Sequence, residues 1–430
     1  MIKTIDRTTV PPFRTIDSIN VPRVQALKLG NGIDLFTLSA GSQEITRIEF
    51  IFRAGMYHQP RALVASCTNS LLESGTERYT AEQISEGIDF FGSFLELQVE
   101  QDYATVTVYS LNKYLKQTLD YVAELIMKPV YPEHEFRIHV ATKKQKHAIN
   151  SQKVSVLAKR KFTSLLFGEK HPYGIDVSEQ DFETLTVNDL RQFYTRQYNH
   201  GNCTIVAAGN LPADLRHLLD SSFGTPWGGP AGDKAGEIPS AGEKSGRFMF
   251  ERADAIQSAI RVGKVLFNKT HPDYFAFQVL NTILGGYFGS RLMANIREDK
   301  GYTYGIGSAV TNLVHGGYFH ISTEVGVDVT ASALEEIYRE IARLRSDLVP
   351  GSELETVRNY MLGNFLRSVD GPFALADKFR SIWEYGLDYG FYDEYFRQVK
   401  NVTPARLRDL ANQYLAPDTF IECVVGNRKP

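Results

Sequence analysis

The sequence predicts an α+β fold made of two homologous α+β domains in tandem, each with a mainly antiparallel sheet and grouped helices. Three observations support this prediction: a Gly-, Ala- and Pro-rich segment near the midpoint, a helix–strand unit that occurs once on each side of it, and strands that come in runs between groups of helices. Such grouping differs from the regular strand–helix alternation of a doubly wound parallel sheet. A chain of 430 residues is also long enough for more than one core.

The composition changes most sharply in residues 223–247, whose sequence is FGTPWGGPAGDKAGEIPSAGEKSGR. Small residues and prolines dominate this segment, and β-branched residues are almost absent from it. A stretch of this composition is typical of a flexible connection and not of a packed element. We therefore predict an N-terminal domain over 1–222, a flexible linker over 223–247 and a C-terminal domain over 248–430.

A helix followed by an apolar strand occurs once in each half, which indicates a duplication. In the first half Thr186 begins a capping-box pattern, and the strand after the helix ends at Gly209. In the second half Thr403 is the predicted N-cap, and the matching strand ends at Gly426. The distance from Thr to Gly is 23 residues in both units.

Other elements also recur in the two halves. A proline turn leads into a long polar helix near Pro132 and again near Pro350, where Ser352 and Glu355 match a capping box. Alternating apolar residues predict strands at 48–53 and 260–266, and a two-strand meander at 94–99 and 104–110. These repeats support two copies of one α+β plan.

Bulk composition excludes several classes of function. A net charge of −3 and a pI near 6.4 do not favour binding to nucleic acid or to an acidic membrane surface. No segment is long and apolar enough to span a bilayer, and residues 1–23 lack the apolar region of a signal peptide. The three cysteines, Cys67, Cys203 and Cys423, lie in apolar runs and predict buried free thiols, hence a cytoplasmic protein.

Short motifs in a fixed order from Arg53 to Gly426 carry a family resemblance. They include Leu71–Thr76 (LLESGT), Phe167–Gly174 (FGEKHPYG), Gly289–Leu292 (GSRL) and Ile296–Tyr304 (IREDKGYTY). In this order the sequence resembles the pitrilysin/insulinase family of zinc peptidases over nearly its whole length. The resemblance implies the duplicated α+β architecture predicted above and a zinc-dependent peptidase ancestry.

The resemblance also implies a His-x-x-Glu-His motif on the helix that precedes Gly75, with two zinc ligands one turn apart and a general base between them. The corresponding positions hold Ser66, Asn69 and Ser70. A Ser hydroxyl is a poor zinc ligand at neutral pH, and an Asn amide cannot take a proton from water. We therefore predict a degenerate motif without metal.

The third zinc ligand of the family is a Glu some seventy residues further along. The chain has no Glu between Glu135 and Glu169, and offers Gln145, Lys146, His147 and Asn150 instead, which are typical of a polar helix. No two histidines lie four residues apart. We expect no cofactor on this chain and no activity from the chain alone; a site rebuilt from Cys67 and His147 is a weak alternative.

In the second half the resemblance implies that Arg297 and Tyr304, seven residues apart, reach towards a partner's zinc site and bind substrate. A fixed guanidinium charge and a phenolic donor both suit a carbonyl oxygen that gains negative charge. Without the resemblance, Arg297 would be interpreted as a helix C-terminal residue in an ion pair. Tyr302 is the neighbour that competes for the role of Tyr304, although the spacing favours Tyr304, and Arg291 is expected to be structural.

For three further segments a structural role is the favoured interpretation. Gly285–Gly289 predicts a tight turn, with substrate contact as an alternative, because no phosphate-binding motif follows. The basic run 143–147 predicts a solvated helix face. The aromatic residues of 373–395 predict core packing, with a partner surface or chamber wall as the alternative.

The expected function is that of a non-catalytic, substrate-binding subunit of a heterodimeric zinc metallopeptidase that acts on peptides. A homologous subunit with an intact motif would supply the zinc and the general base, and this chain would supply Arg297 and Tyr304. Peptides would bind in extended form at a sheet edge. The alternative is a structural or assembly subunit of a larger complex with no part in proteolysis; a homodimer of the isolated chain is also compatible with the sequence.

Overall fold

The computed structural model describes residues 20–229 and 245–427, together with Thr8 and Ile16. The first half contains a six-stranded sheet in the order β1-β2-β6-β3-β5-β4, and the second a five-stranded sheet in the order β7-β11-β8-β10-β9. The strands are β1 (Gln25–Lys28), β2 (Asp34–Ser39), β3 (Ile45–Phe52), β4 (Phe94–Val99), β5 (Ala104–Leu111), β6 (Cys203–Gly209), β7 (Gly246–Glu251), β8 (Gln257–Leu266), β9 (Ile306–Leu313), β10 (Gly316–Gly326) and β11 (Ile421–Gly426).

The two sheets have the same topology, which confirms the predicted duplication. In each sheet the last strand of the half pairs parallel with one neighbour (β6 with β2, β11 with β7), and every other pairing is antiparallel. The order β2-β6-β3-β5-β4 therefore equals the order β7-β11-β8-β10-β9, and β1 is an addition to the first sheet. The predicted meander is β4 and β5, and the other predicted strands agree with β3, β6, β8 and β11 to within one residue at the end of β3.

Fourteen α-helices are present in the described part of the chain, and several of them pack against the sheets. They are α1 (Val64–Ser70), α2 (Ala81–Phe90), α3 (Leu115–Met127), α4 (Glu133–Ser151), α5 (Val154–Phe167), α6 (Glu179–Thr184), α7 (Val187–Gln197), α8 (Leu215–Phe223), α9 (Tyr274–Asn281), α10 (Thr330–Ser346), α11 (Gly351–Arg367), α12 (Pro372–Trp383), α13 (Gly390–Asn401) and α14 (Pro404–Tyr414). Two π-helical segments, Thr282–Gly286 and Met293–Asp299, follow α9.

Local signals place two helix starts correctly and one incorrectly. Thr186 forms the predicted capping box at α7, and the Thr403 side chain accepts a hydrogen bond from the third backbone N–H of α14. The capping box predicted at Ser352 is wrong. Helix α11 begins at Gly351 after Pro350, so Ser352 lies inside the first turn, where its side chain cannot cap the helix.

One helix of each half covers the sheet of the other half. Helix α5 packs on β8 and β11, where its Phe162 joins the core around Cys423. Helix α12 packs on β2 and β6, where the ring centroids of Phe36 and Phe379 lie 4.6 Å apart. This exchange buries apolar surface between the halves, so the two halves stabilise each other.

Charged residues of β3 lie under α12. Arg47 donates to Asp377 at 2.6 Å, and Arg380 donates to Glu49 at 2.6 Å. The side chains of Arg47 and Glu49 are buried, and burial raises the pKa of the Glu49 carboxyl. Both pairs join the first sheet to a helix of the second half, which makes each pair part of the contact between halves.

The predicted linker 223–247 lies only partly within the described residues. Phe223 ends α8 and is fully buried, and Trp227 packs against Phe52 at 6.2 Å between ring centroids. Residues 230–244 lie outside the described residues, and β7 begins at Gly246. The proposed domain boundaries stay predictions.

Candidate functional site

The degenerate motif lies on α1, as the sequence predicts. This helix begins after Leu63, whose φ of 73° places a non-glycine residue in the left-handed region. Asn69 is fully buried, whereas Ser66 and Ser70 are half-buried. Cys67, between them, is a buried free thiol, as are Cys203 and Cys423.

Asn69 has a structural role at the position of the general base. Its side-chain amide donates to the carbonyl oxygens of Gln98 (2.9 Å) and Thr105 (3.2 Å), on the neighbouring strands β4 and β5. Its carbonyl oxygen accepts from the hydroxyl of Tyr198 at 2.9 Å. Since these contacts occupy both ends of the amide, Asn69 is locked towards the sheet.

A lysine ammonium contacts the first motif position. Lys143 of α4 donates to the Ser66 hydroxyl at 2.7 Å, and Ser66 donates to the Leu63 carbonyl. Lys143 is half-buried, and burial lowers the pKa of its ammonium. The basic run 143–147 is therefore not simply a solvated face, because its first residue points at the motif helix.

These residues do not fit a zinc ion. Zinc needs three or four imidazole, thiolate or carboxylate ligands, and the motif helix offers two hydroxyls and one amide that is already fully bonded. The ammonium of Lys143 at Ser66 also opposes any second cation there. The His147 ring packs on Phe182, and no group of three His, Cys, Asp or Glu side chains with metal-binding geometry occurs in the described residues.

Arg297 lies on the second π-helical segment and contacts an aromatic ring. Its guanidinium carbon is 4.8 Å from the centroid of Phe288, an arrangement typical of a cation–π contact. Phe288 belongs to the Gly-rich segment Gly285–Gly289 and is 61% exposed. Among the described residues no carboxylate pairs with Arg297, in contrast to Arg291, which binds both oxygens of Glu353 at 2.9 and 2.8 Å.

Tyr304 projects from the short passage between this helical segment and β9. Gly301, with φ of 65°, turns the chain, and the Thr303 hydroxyl donates to the Glu324 carbonyl at 2.7 Å, which fixes the passage to β10. Tyr302 is half-buried and packs against the core, whereas Tyr304 is 95% exposed. The structure gives no hydrogen bond between Arg297 and Tyr304.

Two adjoining cavities connect the motif helix with Tyr304. The first, of about 730 Å³, is lined by Ser66, by α5 and by residues of the second sheet. The second, of about 400 Å³, is lined by Tyr304 and Glu324 among others. Arg261 of β8 and Ser155 of α5 line both. Sequence reasoning missed Lys143 as a contact of Ser66 and Arg261 as a cavity residue; the only signal for Arg261 is a charge between Ile260 and Val262.

No helix in the described residues has the length and hydrophobicity needed to cross a bilayer.

Comparison with known proteins identifies the ancestry of this arrangement. Residues 184–361 match the model of the peptidase M16 inactive domain. An uncharacterised zinc protease of Bacillus subtilis is 23% identical over 349 residues, which cover 80% of this chain and 83% of the relative. One of Mycobacterium leprae is 21% identical over 418 residues, 95% of this chain and 89% of the relative.

Solved structures share the fold over almost the full chain. A peptidase M16 inactive domain from Pseudomonas fluorescens superposes with a TM-score of 0.85 at 23% identity, over 95% of this chain and 100% of that chain. A protease from Helicobacter pylori gives 0.84 at 16% identity, over 95% and 100%. A chain of Complex III2 from Candida albicans gives 0.74 at 12% identity, over 94% and 96%. The matched domain, the relatives and the duplicated fold together support an inactive subunit similar to the pitrilysin/insulinase (M16) family of peptidases.

Proposed function

We propose that this chain is the non-catalytic, substrate-binding subunit of a two-chain zinc peptidase that acts on peptides. A homologous subunit with an intact His-x-x-Glu-His motif supplies the zinc ion and the general base. The two subunits enclose a chamber, and this chain supplies Arg297 and Tyr304 to the zinc site from the opposite side of that chamber.

The exposure of Tyr304 carries the proposal. A Tyr side chain that is 95% exposed and has no hydrogen-bond partner among the described residues is typical of a residue that contacts another molecule. Arg297 also lacks a carboxylate partner among the described residues, and its Phe288 contact leaves the guanidinium edge free for a carbonyl or oxyanion.

The sheets offer two edges to an extended peptide. Strand β4 ends the first sheet and β9 ends the second, so each has one side without a strand partner in the described chain. An added peptide strand gains main-chain hydrogen bonds at such an edge. Asn69 holds the Gln98 carbonyl of β4, so the motif helix is tied to one of these edges.

The test is peptidase activity and zinc content of the chain alone and after mixing with its nearest homologue that has the intact motif. We expect a metal-free, inert chain that raises the activity of the homologue when the two are mixed. Arg297→Ala and Tyr304→Phe should each lower kcat/KM of the mixture by about 10- to 1000-fold, as expected for lost oxyanion stabilisation.

Two variants serve as matched controls. Tyr302→Phe removes the hydroxyl of the packed neighbour, and Arg216→Ala removes an exposed arginine of α8. Both should leave the activity of the mixture unchanged. A mixture no more active than the homologue alone, or equal effects of the Tyr302 and Tyr304 variants, would refute the substrate-side role.

The second candidate is a scaffold subunit, and the fold shared with a chain of Complex III2 from Candida albicans favours it. If the chain is a scaffold, it binds a partner, but Arg297→Ala has no effect on peptide cleavage. Isolation of a stable complex in which that variant changes no activity would support it. Size-exclusion chromatography with light scattering distinguishes a heterodimer from a homodimer of the chain. The proposal also includes the cytoplasmic location expected from the free cysteines.

A further inference from the structure

The cavity of about 730 Å³ beside the motif helix is lined by cations and by no carboxylate. Its charged lining residues are Lys159, Arg160 and Arg261, and the other described lining residues are apolar or neutral polar. The whole chain, in contrast, carries a net charge of −3. The volume lies within the range of about 300–1,000 Å³ typical of ligand sites.

Arg261 is the central cation of this cavity. It lies on β8 opposite Cys423 of β11 and Ser322 of β10, and it is half-buried. Burial lowers the pKa of its guanidinium, yet an Arg keeps its charge at any physiological pH. No ion pair or hydrogen bond of the described residues involves its side chain; the Glu324 carboxylate, which lines the adjoining cavity with it, raises the pKa of Arg261 by its charge but forms no ion pair with it.

The other cations differ in how they are paired. Arg160 is bound to Asp176, so its charge is compensated. Lys159 is exposed on α5, and among the described residues no carboxylate pairs with it. The pKa of the neighbouring His320 is lowered to about 4 by burial and by the charges of Arg261 and Lys159, so His320 is neutral at pH 7 and adds no further positive charge.

A further carboxylate beside the cavity wall, Asp102, is already occupied. Asp102 accepts hydrogen bonds from the hydroxyl of Tyr173, which lines the cavity, and from the backbone N–H of Val314. Lys143 donates to Ser66, which lines the cavity, and so adds another positive charge next to the lining. The cavity therefore has a positive potential that no acid of its lining neutralises.

We propose that this cavity binds a carboxylate group of the peptide substrate, with Arg261 and Lys159 as its partners. The proposal rests on the proposed function, because it assumes that the chain binds peptides. A half-buried guanidinium without a counter-ion loses hydration without gaining a partner, and a carboxylate supplies the matching bidentate acceptor. The source is either an acidic side chain or the C-terminal carboxylate of the peptide.

The experiment is isothermal titration calorimetry of the full chain with three peptides that share one core sequence. The first has a central Glu and an amidated C-terminus, the second has Gln there and is amidated, and the third has Gln and a free C-terminus. We expect the first or the third to bind at least about tenfold more tightly than the second, as for one charged hydrogen-bond pair, and the stronger one identifies the source.

Variants of the two cations then locate the site. Arg261→Gln and Lys159→Gln should each remove most of this preference, while Arg216→Gln and Lys116→Gln, exposed positions that line neither cavity, should keep it. Circular dichroism confirms that each variant folds. Equal binding of the three peptides overturns this proposal and leaves the proposed function standing, whereas no binding of any peptide by the chain overturns both.

Discussion

The hydrogen bonds of Asn69 allow a test of whether this residue stabilises the fold or is only a remnant of the lost general base. If Asn69 is part of the fold, Asn69→Ala should destabilise the first half. The substitution removes the bonds to two strand carbonyls and leaves the buried Tyr198 hydroxyl without its acceptor. An unsatisfied buried polar group costs about 1–3 kcal/mol, so we expect a total loss of about 2–4 kcal/mol.

A double-mutant cycle isolates the bond between Asn69 and Tyr198. Tyr198→Phe should cost about 1–2 kcal/mol, because it leaves the Asn69 carbonyl oxygen unpaired in the core. Once Asn69 is Ala, the same change should cost less, since no partner remains. We expect a coupling free energy of about 1 kcal/mol between the two positions.

Urea unfolding followed by tryptophan fluorescence measures these changes. The chain has two tryptophans, and in a Trp383→Phe background only Trp227 reports, from the core of the first half. Asn359→Ala, at an exposed helical position, is the control and should change the free energy of unfolding by less than about 0.5 kcal/mol. A loss below that value for Asn69→Ala, or additive effects in the cycle, would refute the reasoning.

Three further predictions concern the joint between halves, pH and metal. Arg380→Met leaves Glu49 buried without its cation and should cost about 3–5 kcal/mol in urea unfolding, whereas exposed Arg367→Met should cost almost nothing. Burial lowers the pKa of His320 from 6.5 to about 4, so the unfolded state binds the proton first and the free energy of unfolding falls as the pH drops from about 6.5 to 4. His320→Gln should reduce this dependence of the free energy of unfolding on pH, measured by unfolding curves across the same range. Restoring His, Glu and His at the three motif positions should not restore stoichiometric zinc by elemental analysis, because the Lys143 ammonium and the missing third ligand remain; one zinc per chain would contradict this.

Local chemistry explains why much of the fold is predictable. Thr186 and Thr403 can satisfy backbone N–H groups within their own helices, so their role needs no distant partner. The same signal fails at Ser352, because Pro350 is the N-cap and the helix begins at Gly351, two residues earlier than the capping-box pattern requires. The repeat predicts that the two sheets are alike, and both copies do pair their strands in the same order.

The burial of polar residues depends on distant contacts. Arg47 and Glu49 alternate with apolar neighbours in β3, a pattern typical of one solvent-facing side, yet α12 covers them from more than 300 residues away in sequence. Lys143 belongs to a basic run that resembles a solvated surface, and only the packing of α4 brings it to Ser66.

By itself the sequence determined the duplicated α+β architecture and the family resemblance, because repeats, caps and motif order depend on residues close together in the chain. It also determined the loss of the zinc motif, since Ser66, Asn69 and Ser70 lack the chemistry of metal ligands. The tertiary structure decided which charges remain unpaired. Arg261 is one polar residue in a strand until α5 of the other half closes over that sheet and leaves its guanidinium facing a cavity without a carboxylate.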